Sequence, residues 1–263
     1  MNIEPPKALR GMAALKVSKI RHWTDRTFSF SCERPQSFRF RSGEFVMIGL
    51  VVDDKPLLRA YSIASPSWDD ELEFYSIKVA DGPLTSRLQH LSEGDEIVMR
   101  PKPVGTLVLD ALTPGKRLFL FSTGTGIAPF ASTIRDPETY EMFDEVILTQ
   151  TCRDKAELDY GLDLIAQIQR DEMLSEIVGD KLIHIPTTTR EKTAQMGRMT
   201  DWIRDGRLAQ ATGGALNPET DRVMICGSMA MLKDHKALCE AAGMVEGSNS
   251  EPGQFVIEKA FVD

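Results

Sequence analysis

The stretch Arg117-Leu118-Phe119-Leu120-Phe121-Ser122, running into Thr123-Gly124-Thr125-Gly126-Ile127-Ala128-Pro129, limits the fold more than any other segment. Apolar at consecutive positions, residues 117–122 fit a strand covered on both faces, as in a parallel sheet. Gly124 and Gly126 allow a tight turn and a close approach of backbone to a ligand. Pro129 fits the first turn of the helical pattern that follows. Unpaired N–H groups at such a helix start attract phosphate. Taken alone, the segment is equally an ordinary strand–helix turn, so the surrounding chain decides.

Beyond Thr113-Pro114-Gly115, strand and helix patterns alternate. Strands are predicted at 117–122, 145–151, 181–186, 222–226 and 254–261, and helices at 127–135, 155–172, 200–206 and 229–242. That alternation predicts a doubly wound parallel α/β sheet. Before it the texture differs: short β-rich runs are broken by Arg41-Ser42-Gly43, Val52-Asp53-Asp54 and Pro66-Ser67. Strands are expected there at 14–20, 27–32, 45–50, 58–63, 72–78, 96–100 and 106–109, with one helix near 84–91. Regular short strands of this kind predict a closed antiparallel β-barrel. Two domains follow, 1–113 and 114–263, with residues 1–12 as an arm; 263 residues suffice for two cores.

A net charge of −8 argues against a general nucleic-acid binder. No apolar run reaches the length of a membrane span, and residues 1–20 lack a signal-peptide core. Cys32, Cys152, Cys226 and Cys239 form no CxxC pair, so no iron–sulfur or zinc site is expected. The expected setting is soluble, reducing and cytoplasmic.

Ligands of an open parallel sheet sit beyond the carboxyl ends of its strands. Those ends read Thr123-Gly124-Thr125-Gly126, Thr151-Cys152-Arg153, Thr187-Thr188-Thr189-Arg190 with Gly197-Arg198 just after, and Cys226-Gly227-Ser228-Met229. An acid after the second strand favours NAD by bonding the ribose, whereas arginines favour the 2′-phosphate of NADP. Arg153 is followed by Asp154, which leaves that strand ambiguous; Arg190 and Arg198 tip the balance toward NADP. Any one of these arginines alone is equally a solvated surface charge. In the first half, Arg59-Ala60-Tyr61-Ser62 pairs a cation with an aromatic and a hydroxyl, suited to a phosphate, a planar ring and a ring heteroatom. Gly82-Pro83-Leu84-Thr85-Ser86 opens a helix, a second place for a pyrophosphate. A strand with a core tyrosine and a helix capped by Thr85 account for the same residues.

Arg59-Ala60-Tyr61-Ser62, Gly82-Pro83-Leu84-Thr85-Ser86, Gly124-Thr125-Gly126-Ile127-Ala128-Pro129, Thr151-Cys152-Arg153 and Cys226-Gly227-Ser228 occur in the order found in ferredoxin–NADP(H) reductases. The ending Phe255-Val256-Ile257-Glu258-Lys259-Ala260-Phe261-Val262-Asp263 resembles the bacterial branch of that family, so the resemblance spans residues 14–263. It implies an N-terminal barrel holding FAD and a C-terminal domain holding NADP(H). By motif, Arg59 would meet the FAD pyrophosphate, Tyr61 the isoalloxazine and Ser62 its N5, with Ala60 also in the FAD site. Tyr75, Pro83, Leu84 and Thr85 would complete the FAD site, with Thr125 approaching from the other domain. Cys152, Arg153, Thr189, Arg190 and Arg198 would bind NADP(H), and Cys226 and Gly227 would face the nicotinamide. Plant-type members end in a tyrosine stacked on the flavin; here Ala260 takes that place, and Phe261 would meet the adenine of a folded FAD.

The implied activity is hydride exchange between NADP(H) and FAD, coupled to ferredoxin or flavodoxin as one-electron carrier, by a monomer. Ser62, Cys226 and Glu258 are the expected catalytic residues, with Glu258 as proton partner and Cys226 as bulk beside the nicotinamide. The alternatives are the reductase component of an oxygenase system in the same superfamily and, from another class, a non-catalytic dinucleotide sensor. Arg39, Arg41, Arg100 and Lys102 are either a docking patch or scattered surface charge.

Overall fold

The structure, a computed structural model, describes residues 11–258. Its first half contains β1 (Ala13–His22), β2 (Thr27–Glu33), β3 (Phe45–Val52), β4 (Lys55–Ser62), β5 (Glu71–Ile77), the short helix α1 (Thr85–Leu88) and β6 (Glu96–Met99). The strands form one antiparallel sheet in the order β4-β3-β6-β1-β2-β5. Asp53 and Asp54 adopt positive φ (50° and 59°) in the tight hairpin between β3 and β4, a conformation that short acidic side chains tolerate and branched ones do not. The sheet rolls around Phe28, Phe30, Phe74, Val46, Ile48 and Leu72. Its edge strands touch where Ala64 N donates to Glu73 O (2.8 Å).

The strand predicted at 106–109 does not form. Val104 makes an isolated bridge to Phe45, and Leu109–Ala111 is a single 3-10 turn. Thr106 bonds the end of the chain instead, its N–H donating to Glu258 Oε2 (3.1 Å) and its Oγ1 to Ile257 O (2.8 Å).

The second half runs β7 (Arg117–Thr123), α2 (Ala128–Thr133), α3 (Pro137–Met142), β8 (Glu145–Cys152), α4 (Asp159–Arg170), α5 (Glu172–Val178), β9 (Leu182–Thr188), α6 (Met199–Arg204), α7 (Arg207–Ala211), β10 (Asp221–Cys226), α8 (Met229–Ala241) and β11 (Phe255–Ile257). All five strands are parallel, in the order β11-β10-β7-β8-β9. β7 shows why consecutive apolar residues are needed: Leu118 and Leu120 pack on one face with Phe130, Tyr140 and Leu164. Phe119 and Phe121 pack on the other with Trp202, Leu208 and Leu232. Helices α2 to α5 therefore cover one side and α6 to α8 the other.

Several helix boundaries differ from the sequence expectation. The helix expected at 127–135 is α2, six residues long and entered through a 3-10 turn over Gly124–Ile127. The span 155–172 splits, because Asp171 leaves helical geometry and caps α5 by accepting from Leu174 N. The short helix α3 was not expected, although Asp136-Pro137 is a cap followed by a proline at the first turn.

Candidate active site

From β7 the chain moves outward through β8 and β9, then crosses back to β10 on the opposite side. The sheet order thus reverses between β7 and β10, the place where open α/β sheets hold ligands. Ser122 lies beside Cys226 in this register, so the two following turns start side by side. Gly124 has φ 53°, and nothing lies within 4 Å of where its Cβ would be, so this turn opens to solvent space. Gly126 is the reverse: a Cβ there would stand 2.3 Å from Cys226 O. A Cβ on Gly227 would stand 2.2 Å from Thr123 Oγ1. The two turns mesh with no room for a side chain on either glycine. Gly126→Ala is expected to destabilise the fold by about 1–3 kcal/mol, because backbone cannot move aside as a side chain can. The same change should weaken dinucleotide binding. A thermal melt with a nucleotide titration checks both, and wild-type values would mean the turns separate freely.

Both turns border one cleft of about 1060 Å³ between the two sheets. Single small-molecule sites run about 300–1,000 Å³, so this space suits more than one ligand. β4 contributes Arg59, Ala60, Tyr61 and Ser62, and β5 contributes Tyr75. The entry to α1 adds Pro83, Leu84 and Thr85, and the glycine turn adds Thr125. On the C-terminal sheet the walls include Cys152 and Arg153 after β8, Thr189, Arg190 and Arg198 after β9, and Cys226 and Gly227 after β10. Glu258 is not on the wall; its Oε2 accepts from Thr106 N, and its charge lies close enough to act on Cys226. Ala260 and Phe261 lie outside the described residues.

Tyr61 is 8% exposed, bonds Ser76 through its hydroxyl (Oη···Oγ 3.0 Å) and packs edge-on to Phe74. Burial raises its phenol pKa, so Tyr61 is a fixed aromatic wall rather than an acid. The adjacent Ser62 hydroxyl has no partner among the described residues and is available to a ligand. Burial, then the charge of Glu157, pushes the Cys152 thiol up to about 12. Burial followed by Glu258 likewise pushes up Cys226. In both, burial favours the protonated thiol, the less nucleophilic form.

The opposite rim is cationic. Arg153, Arg190 and Arg198 are exposed, and their guanidinium groups have no hydrogen bond or ion pair to any described residue. Arg117, Arg135 and Arg207, by contrast, are each paired with a carboxylate. Three unpaired arginines on one rim of a chain carrying −8 are able to bond a phosphate-bearing ligand.

The cleft also includes residues that the sequence did not single out. Thr27 and Ile77 enter it as β2–β5 register partners, for which no local signal exists. Met231 and His235 enter from α8. Their i, i+4 spacing just after Cys226-Gly227 could have been read as one helix face.

Residues 13–108 match the family model described as an oxidoreductase FAD-binding domain. The chain is similar to the flavodoxin/ferredoxin–NADP reductase of Rhodobacter capsulatus, 59% identical over 262 residues that cover 99% of this chain and 96% of that protein. It is 50% identical over 250 residues to the ferredoxin–NADP reductase of Pseudomonas aeruginosa, covering 94% of this chain and 97% of the relative. Its fold matches the crystal structure of a ferredoxin NADP+ reductase from Neisseria gonorrhoeae with bound FAD and NADP, with a TM-score of 0.85 and 29% identity over 94% of this chain and 98% of that one.

Proposed function

The chain belongs to the flavodoxin/ferredoxin–NADP reductase family, and we propose that it exchanges electrons between NADP(H) and a one-electron carrier, ferredoxin or flavodoxin, through bound FAD. The single observation carrying this reading is that the Tyr61-Ser62 segment and the Gly124 turn, built on different sheets, open into one cleft. FAD fits the first wall, where a buried aromatic adjoins an unpartnered hydroxyl. NADP(H) fits the second, where three unpaired guanidiniums share the cleft rim with a turn that is open at Gly124. Residues 1–113 would form the FAD-binding domain and 114–263 the NADP(H)-binding domain. Because one chain supplies both walls, a monomer suffices.

Bound flavin supplies the conversion between two-electron exchange with nicotinamide and one-electron exchange with a carrier. The protein supplies alignment. Arg190 and Arg198, with Arg153, hold the 2′-phosphate end, while Cys152 and Thr189 line the path toward the sheet. Cys226 and Gly227 form the nicotinamide seat, where the neutral thiol contributes size and polarizability. Tyr61 would back the isoalloxazine, Ser62 would hydrogen-bond at N5, and Arg59 and Thr85 would hold the pyrophosphate. Glu258, behind Cys226, is the carboxylate that can exchange a proton with this part of the site. Rigid placement of two reacting rings supplies much of the acceleration such a site needs. All four cysteines are free, which fits a reducing, cytoplasmic setting. Among the described residues no helix is long and apolar enough to cross a membrane.

Stopped-flow mixing of the purified protein with NADPH, then with ferredoxin or flavodoxin, tests the reading. Flavin absorbance should bleach in the first mix and return in the second. Ser62→Ala should retain FAD yet slow the bleaching about 10-fold, the loss of a charge-assisted hydrogen bond made during transfer. An unchanged single-turnover rate would remove Ser62 from the mechanism.

A further inference from the structure

Helix α4 starts at Asp159, beyond a 3-10 turn over Lys155–Leu158 that follows the rim residues Cys152-Arg153. Near its start stands Tyr160, 3% exposed, whose ring lies flat on Tyr75 of β5 with centroids 4.0 Å apart and planes 9° from parallel. Trp23 meets the same ring edge-on at 5.3 Å. The Tyr160 hydroxyl donates to Glu73 Oε1 (3.2 Å), and Arg135 donates to Glu73 Oε2 (3.2 Å) and to Ala64 O (2.6 Å). Tyr160 and Arg135 belong to the C-terminal half, whereas Tyr75, Glu73, Ala64 and Trp23 belong to the N-terminal half. Tyr75 is itself a cleft wall.

The other cross-lobe contacts of this helix region are weaker. Arg21–Asp163 and Arg26–Glu157 are ion pairs with exposed arginines. Such pairs are screened and hold no fixed angle. A buried stack with a part-buried hydrogen bond is directional and resists sliding.

We propose that Tyr160 is a positioning residue: stacked on Tyr75 and bonded to Glu73, it sets the separation and angle at which the nicotinamide half of the cleft meets the flavin half. This rests on the oxidoreductase reading above. Only Asp154 and a 3-10 turn over Lys155–Leu158 separate the rim residues Cys152 and Arg153 from α4, so a tilt of α4 on the barrel moves that rim with it. Hydride transfer tolerates little such movement, since a displacement of about 1 Å can slow an aligned reaction about 100-fold.

The test uses the FAD-loaded protein and two variants, Tyr160→Leu and Tyr160→Phe. Tyr160→Leu keeps apolar bulk and loses the ring. It should retain FAD, alter the visible circular dichroism of the bound flavin and slow bleaching by NADPH about 10-fold or more. Binding of 2′-phospho-AMP, which engages only the arginine rim, should change by less than about 2-fold. Tyr160→Phe keeps the stack, so it should restore the dichroism and slow bleaching less than Tyr160→Leu does, about 3-fold, although the bond to the Glu73 carboxylate is lost. Wild-type rate and dichroism in Tyr160→Leu would overturn the proposal, as would an equal loss of 2′-phospho-AMP affinity, which would mark local damage to the rim. Should Tyr160→Leu fail to hold FAD, Tyr160→Phe decides, and an unchanged rate there refutes the role. Absence of bleaching in the wild-type protein would instead refute the activity itself.

Discussion

Replacing Arg190 or Arg198 with alanine is expected to raise the KM for NADPH about 10- to 150-fold while leaving that for NADH nearly unchanged. On the proposed assignment each would remove a charge-assisted bond to a phosphate that only NADPH carries, a loss of about 1.5–3 kcal/mol. The structure makes the expectation sharp, because neither guanidinium has another partner among the described residues and so no internal ion pair is broken. Stability should therefore be untouched, and a thermal melt run beside the kinetics checks this. Arg153 shares the rim, and its backbone N–H donates to the Glu157 carboxylate (3.0 Å), a bond that a side-chain substitution leaves in place. Equal losses for NADPH and NADH would place both arginines away from the 2′-phosphate.

The largest stability effect is expected at Asp221. Its side chain is fully buried at the start of β10 and accepts from Arg117 Nε (2.8 Å) and Nη2 (2.6 Å), Asn217 N (2.8 Å) and Thr220 Oγ1 (2.9 Å). The bond to Asp221 leads the causes that hold the Arg117 guanidinium above its ordinary pKa. Asp221→Ala leaves that cation half-enclosed without its counterion, which costs about 3–5 kcal/mol. For a chain of this size the melting temperature should fall by about 10 °C or more. Arg117 and Asp221 are register partners at the entry ends of β7 and β10, and the same register sets Ser122 beside Cys226 at the exit ends. Loss of the pair should thus also loosen the meshed turns and raise the NADPH KM modestly. A melting temperature within a degree or two of wild type would mean that solvent already screens the pair.

Much of the architecture was legible because its signals are local. Unbroken apolar runs at 118–121 and 223–226, each leading into a glycine turn, fit a sheet covered on both faces. Arginine-bearing strand ends were readable for the same reason, since the residue after a parallel strand must lie on the ligand rim. The strand expected at 106–109 failed because alternation cannot reveal a competing partner: Thr106 is claimed by Ile257 and Glu258, about 150 positions away in sequence. Helices α3 and α7 were missed because five or six residues carry too little period to register.

Composition and motif order alone determined that the chain carries two nucleotide cradles, one aromatic and one cationic. Only the folded chain decided that the cradles share a cleft, that Thr27 and His235 help to line it, and that Tyr160 reaches across to lie on Tyr75. Periodicity and turn chemistry act over a few residues, whereas the meeting of two sheets depends on register and on how one helix packs against a distant strand. No short window of sequence contains both partners of such a contact.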